Sequence, residues 1–305
     1  MFKLTRYDLV GRRRIWFAIS LVLIALGLAS LATRGLNLGI DFTGGTELSL
    51  SFERPVTTGE LRTVLAQHGL GTAVIQVDRD RAWQVFVRTP PLEDATRAKL
   101  YAGLREEVAG FESMGVEMVH PLIGAELLRE AMLALAVAAA GMILYISIRF
   151  EFRFGVTGVV AILHDILITV GAFSLLGLAI TAPFVAAVLT IVGYSINATI
   201  VIYDRIRENL KDRRKEGYAG IVNRSINESL SRCINTSLTT LMALGAIYLF
   251  GGKTIGDFAL ALIIGIACGT YSSVFVAGPL WCSWKERDER ARQARSLRKA
   301  AAKAR

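Results

Sequence analysis

Runs of close to twenty apolar residues recur along this chain, and a water-soluble fold would have to bury all of them. The first, IWFAISLVLIALGLASLAT from Ile15 to Thr33, carries no charge. About 20 such residues are what a helix needs to cross a hydrocarbon core. The pattern predicts six membrane spans, over 15–33, 130–148, 156–178, 183–203, 232–250 and 258–281. The first run is too long for a signal-peptide core and has no convincing cleavage site after it, so it reads as a retained helix. Composition agrees: 53% of the 305 residues are hydrophobic and the mean hydropathy is +0.45.

The net charge of +9 would suit a nucleic-acid binder, but the placement of the charges gives a different reading. Lys3, Arg6, Arg12, Arg13 and Arg14 precede the first span; Arg205, Arg207, Lys211, Arg213, Arg214 and Lys215 follow the fourth; a basic tail, 282–305, follows the last. The short connections on the other side carry almost none. By the positive-inside rule, residues 1–14, the 204–231 loop and the tail are cytoplasmic, and residues 34–129 lie outside. The chain is then a multi-pass protein of the inner (cytoplasmic) membrane, and no nucleic-acid partner is expected.

Residues 34–129 read as a folded domain. Thr46–Phe52 alternates as a strand, and Thr57 or Thr58 caps a helix to about Gln67 with Glu60 in its first turn. Ala73–Val77 and Trp83–Arg88 are strands joined at Asp78–Arg81, Glu93–Val108 is a helix, and Gly115–Val119 a last strand. The order β-α-β-β-α-β predicts an α+β ferredoxin-like domain.

No CxxC, HExxH or Walker A pattern occurs, so neither a metal nor a cofactor is expected, and no enzyme. Tyr203–Asp204 and Gly256–Asp257 resemble the motifs of an intramembrane aspartyl protease only faintly. The predicted spans put those carboxylates at opposite faces, about 30 Å apart. Ionisable groups inside spans are costly and point to function. His164 and Asp165 lie within the third span; Asp204, Arg205 and Arg207 close the fourth; Arg232 opens the fifth. Gly193, Tyr194, Ser195 and Asn197 in the fourth span, with the amides and hydroxyls of Asn223–Thr240, suggest a hydrated polar path through the bundle. Gly44 and Gly45 suit a tight turn just outside the first span.

Several segments are close to those of a known family: GIDFTGGT at Gly39–Thr46, IRFEFRF at Ile148–Phe154, HDILI at His164–Ile168, GYSINATIVIYDRIREN at Gly193–Asn209, LSRCINTSLTTL at Leu230–Leu241 and GKTIGDFALALIIGIACGTYSS at Gly252–Ser273. They run in order from the first span to the last, and the chain resembles the SecF side of the SecD/SecF protein-export family. That resemblance implies half of a transporter unit of the resistance-nodulation-division superfamily. It implies a SecD partner, the SecYEG translocon, YajC-type and YidC-type neighbours, and preprotein substrates moved late in export by the proton-motive force. It also implies a proton path using carboxylates of the fourth spans and the arginine at Arg232. The chain departs from the family at Ala198, where an Asp usually follows GYSIN. In the same reading Asp41, with Gly44, Gly45 and Thr46, caps backbone amides and shapes the passage between helices and domain.

Overall fold

The structure is a computed structural model and describes residues 7–78, 81–149 and 151–303. Lys3, Arg6, Arg305, part of the Asp78–Arg81 turn and Phe150 of the Ile148–Phe154 segment lie outside the described residues. The chain divides into two compact units, one of Met1–Asn37, Ala134–Leu178 and Pro183–Arg305, the other of Leu38–Leu133 with Ala179–Ala182.

The first unit is helical. Its elements are α1 (Arg13–Arg34), α5 (Pro121–Arg149, entering from the other unit), α6 (Phe152–Leu176), α7 (Ala182–Asn209), α8 (Arg213–Phe250), α9 (Gly252–Ser272) and α10 (Gly278–Lys303). A π-helical turn, Ser273–Ala277, joins α9 to α10 without a break. Six helices among the described residues are long and apolar enough to cross a membrane. The fifth is longer than the sequence suggests. The expected loop over 204–231 is mostly helix: α7 continues to Asn209, and α8 is two helices that meet at a kink at Gly217 (φ 68°). Ile221, Val222, Ser225, Ile226, Ser229, Leu230 and Cys233 are all buried, at the spacing of one helix face. Charge on the opposite face ends an apolar run without ending a helix. The basic tail likewise continues α10.

Helices α1 and α6 meet at glycine. A Cβ on Gly27 would lie 3.1 Å from the Gly171 Cα, so the two backbones touch. Above this point Ser30 Oγ and Ser174 Oγ are 2.9 Å apart, and Ser174 donates to the Gly35 carbonyl at 2.9 Å. Below, Phe154 stacks on Trp281 at 4.5 Å within a core that includes Ile146, Ile162, Tyr203, Ile226 and Val274. Around the start of α10, Arg13 pairs with Glu286 at 2.8 Å, Lys285 with Glu151 at 2.6 Å, and Arg153 with Asp288.

The second unit holds β1 (Asn37–Leu38, its second residue here), α2 (Ile40–Thr43), β2 (Gly45–Phe52), α3 (Thr58–Gln67), β3 (Val74–Val77), β4 (Gln84–Thr89), α4 (Asp94–Glu107), β5 (Phe111–Val119) and the short β6 (Ala179–Ile180). The main sheet has the order β3-β4-β2-β5 and is antiparallel at every pairing. Leu48 faces Val87 on one side and Val116 on the other, and a bulge at Ser49/Leu50 shifts the β5 register. Strand β5 begins four residues before the expected Gly115. Leu48, Leu50 and Phe52 pack with Leu61, Leu65, Leu100 and Leu104 of the two helices. The α3 start is a full capping box: Thr57 Oγ1 accepts from the Glu60 amide, and the Glu60 carboxylate accepts from the Thr57 amide at 2.8 Å. That amide, then the Arg54 guanidinium, pulls the Glu60 carboxyl down to about 2.

Candidate functional site

Asp165, in the helical unit, is a carboxylate with no exposed surface. Helix α6 presents it, and three hydrogen bonds hold it. Ser195 of α7 donates to Oδ2 at 2.6 Å, Ser272 of α9 donates to the same oxygen at 2.8 Å, and His164 Nδ1 lies 2.8 Å from Oδ1. The other ring nitrogen of His164 is 3.0 Å from Ser20 Oγ of α1. The Asp165–His164 pair thus ties four helices. With Asp165 ionised and His164 neutral, Nδ1–H donates to the carboxylate and Nε2 accepts from Ser20, which satisfies every group. The Tyr271 ring stacks on the His164 ring at 6.0 Å, and its hydroxyl donates to the Trp16 carbonyl at 2.8 Å.

A second buried link lies one turn on. Thr199 Oγ1 and Ser273 Oγ are 2.9 Å apart, and Ser273 donates to the Gly269 carbonyl at 2.7 Å. Ser273 is the first residue of the π turn. Further along the same side, Tyr203 and Thr157 hydroxyls are 2.7 Å apart. Sequence reasoning named His164, Asp165 and Ser195 but missed Ser20, Ser272 and Ser273. Their signal was the hydroxyl residue itself, placed inside an otherwise apolar run.

A second set of polar groups, on α7 and α8, is exposed. On α7, Ala186, Thr190, Gly193 and Asn197 are exposed at intervals of three and four, and Ala198 is half-buried. On α8, Arg232, Asn235, Thr236 and Thr239 are exposed. The two helices are linked where the Tyr194 hydroxyl donates to Thr240 Oγ1 at 3.3 Å. Arg232, expected where the fifth span begins, lies inside a helix that extends on both sides of it. Its guanidinium has no hydrogen-bond or ion-pair partner among the described residues. Asn197 does not pair with it. The expected polar path over Asn223–Thr240 is also narrower than its composition implies. Asn223 accepts from the amides of Leu9 and Val10, at 2.8 and 3.2 Å, and Asn223 and Asn227 both donate to the Tyr7 carbonyl at 3.0 Å. These two amides hold the N-terminal segment, and Ser237 accepts from Thr270 at 2.6 Å.

At the end of α7, Arg205 donates to Glu208 at 2.7 Å and to Glu228 of α8 at 2.6 Å, while Asn209 donates to Glu228 at 2.9 Å. Asp204 and Arg207 are not part of this cluster. In the other unit, Asp41 Oδ2 accepts from the Ala182 amide at 2.8 Å, and the Gly39 amide donates to the Ile180 carbonyl at 2.7 Å. Gly44 and Gly45 both have positive φ, and a Cβ on Gly45 would sit 2.3 Å from the Thr89 carbonyl oxygen. Thr46 Oγ1 accepts from the Leu92 amide at 3.0 Å. Asp41 and Thr46 therefore serve backbone amides, and the glycines let β2 start against β4. No group of three metal-ligating side chains occurs among the described residues.

Residues 101–287 match the family described as "Protein export membrane protein SecD/SecF, C-terminal", and residues 29–56 match "SecD/SecF GG Motif", which contains Gly44 and Gly45. The chain is 43% identical over 281 residues to "Protein translocase subunit SecF" of Desulfurispirillum indicum, covering 88% of this chain and 89% of that one. It is 42% identical over 287 residues to "Protein translocase subunit SecDF" of Thermus thermophilus, covering 92% of this chain and 39% of that one. The crystal structure of that organism's SecDF, titled "a translocon-associated membrane protein", matches with a TM-score of 0.86 at 43% identity, over 94% of this chain and 40% of that one. The chain thus corresponds to about two-fifths of the SecDF chain and to nearly the whole of the SecF relative. By these matches the chain belongs to the SecD/SecF protein-export family as a relative of its SecF subunits.

Proposed function

We propose that this chain works as the SecF-type half of a two-subunit, proton-driven device that completes the passage of preproteins through the SecYEG translocon. Its partner is a SecD-type subunit, and YajC-type and YidC-type proteins are neighbours. The membrane is the inner one, both termini are cytoplasmic, and the sheet unit is a ferredoxin-like domain outside. The strand order β3-β4-β2-β5 with two helices on one face supports the last point. The Lys and Arg bias supports the orientation. In this reading the chain is half of a transporter unit of the resistance-nodulation-division superfamily, with protons as the driving ion and no cofactor.

The observation that carries this reading is the open polar face of α7 and α8. A guanidinium on the outside of an apolar bundle is costly in lipid unless it is paired or hydrated. Arg232, one turn from Thr236 on α8, has no partner among the described residues and is left for a second protein to cover. A carboxylate from that partner fits the need, because Ala198 cannot bind a proton. Arg232, Asn197 and position 198 form the proton-path candidates on this face, and His164 with Asp165 those of the interior.

Cells lacking the protein should mature secreted preproteins slowly, most of all in the cold. Normal maturation kinetics across many secreted proteins overturns the proposal. Orientation is tested separately by labelling intact cells: a cysteine placed at Gln67 should react from outside, and one at Lys211 should not.

A further inference from the structure

The Asp165 node can be built without a charge. Both serines use Oδ2 and His164 uses Oδ1. An Asn in its place could accept from both serines through its carbonyl oxygen and donate its amide to His164 Nδ1. The ring would then donate Nε2–H to Ser20 Oγ, and no hydrogen bond would be lost. A carboxylate makes the same bonds and adds the cost of ionisation away from water. What a carboxylate can do and an amide cannot is take up a proton.

The surroundings leave that charge uncompensated. His164 is on the same helix; α1 contributes Ser20, α7 contributes Ser195, and α9 contributes Ser272 with the weakly acidic Cys268 and Tyr271. No Lys or Arg pairs with Asp165 among the described residues.

We infer that the Asp165–His164 pair is a proton-binding site inside this chain, and that loading Asp165 loosens the tie between α7 and α9. The inference rests on the proton-driven reading above and assigns one site to it. The step is a simple transfer. A hydronium ion gives up a proton, breaking one of its O–H bonds and leaving water; the proton forms an O–H bond at Oδ2, and the carboxylate becomes a neutral acid. Oδ2 then changes from the acceptor of two hydroxyl bonds into a donor. Ser195 and Ser272 can no longer both donate to it, so one hydroxyl must turn and accept, or leave. Ser195 lies three residues before Ala198, and Ser272 directly precedes the π turn, so the change is felt on the open face of α7 and at the α9–α10 junction. Release of the proton restores both bonds.

The test uses the chain purified with its SecD-type partner. Infrared difference spectra taken as pH is lowered should show a protonated-carboxyl band that Asp165→Asn removes. Ser195→Ala, which keeps the carboxylate and removes one donor, should shift that band's midpoint to higher pH. In membrane vesicles, Asp165→Asn should lower proton-gradient-driven release of a stalled preprotein at least tenfold while leaving the melting temperature near that of the parent. A band unchanged by Asp165→Asn, or parental release by that variant, overturns the inference and leaves Asp165 a hydrogen-bond clamp. If Asp165→Asn does not fold, an unmoved midpoint in Ser195→Ala overturns it. If the parent itself ignores the gradient, the proton-driven reading fails, and the infrared titration still decides whether Asp165 binds protons.

Discussion

The helical unit handles its polar groups in two opposite ways. Around Asp165 every donor and acceptor is matched inside the chain, at distances of 2.6 to 3.0 Å and with no exposed surface on the carboxylate. Along α7 and α8, Asn197 and Arg232 are exposed, and Thr236 and Thr239 donate to carbonyls of their own helix, Thr236 to Arg232 at 2.9 Å. A matched group makes the fold dependent on it. An unmatched one leaves the fold indifferent and makes a second molecule necessary. The same residue type therefore has different consequences on the two sides of one bundle.

Substitutions can break that contrast. Asp165→Leu strands two serine hydroxyls and a histidine nitrogen in an apolar interior, and should cost on the order of 3–5 kcal/mol. Thermal unfolding of the purified protein measures it; a loss below about 1 kcal/mol would remove the node from the stability of the bundle. Arg232→Ala should do the reverse. With no partner among the described residues, its effect on stability should stay within about 0.5 kcal/mol. Gradient-driven release should nevertheless fall roughly tenfold, equivalent to about 1.4 kcal/mol.

A gain is expected at Ala198. Ala198→Asp places a carboxylate at the half-buried edge of the open face, and should raise gradient-driven release by about 1 kcal/mol of coupling, some fivefold. Adding Arg232→Ala should abolish the gain, and equal gains with and without Arg232 would separate the two positions. The smallest effect belongs to the sheet unit. Thr57→Ala should cost about 1 kcal/mol, read by hydrogen exchange at the α3 start in the intact protein. Because folding lowers the Glu60 carboxyl from 4.5 to about 2, its stabilisation is complete above 4.5 and lost as pH falls through about 2. The Thr57→Ala variant should show a shallower acid limb.

The two polar regions were not equally legible in the sequence. The six helices are visible because a span needs an unbroken apolar run, and the order of sheet elements because capping and alternation are local. Arg232 and Asp165 stand out for the same reason, as charges in apolar surroundings. What they touch did not follow. Ser20 and Ser272 are 144 and 107 residues from the groups they bond, His164 and Asp165. A serine in a span reads equally as packing or as a ligand until its neighbours are placed. Asn223 and Asn227 misled in the other direction, since their task is to hold the backbone at Tyr7 and, for Asn223, also at Leu9 and Val10. The early start of α8 was readable in the buried positions from Ile221 to Cys233, but their period is masked in a hydropathy window by the charges between them.

The π turn at Ser273–Ala277 works as a phase shifter. A π turn holds one residue more than the α-helical turn it replaces, and each residue of an α-helix turns about 100°. Everything downstream is therefore rotated by that angle relative to an unbroken helix. Trp281 against Phe154, Glu286 against Arg13 and Lys285 against Glu151 all meet their partners in the shifted phase. If the extra residue were released at Ser273, these contacts would come out of alignment together, so a change beside Asp165 would reach the start of α10 as a rotation.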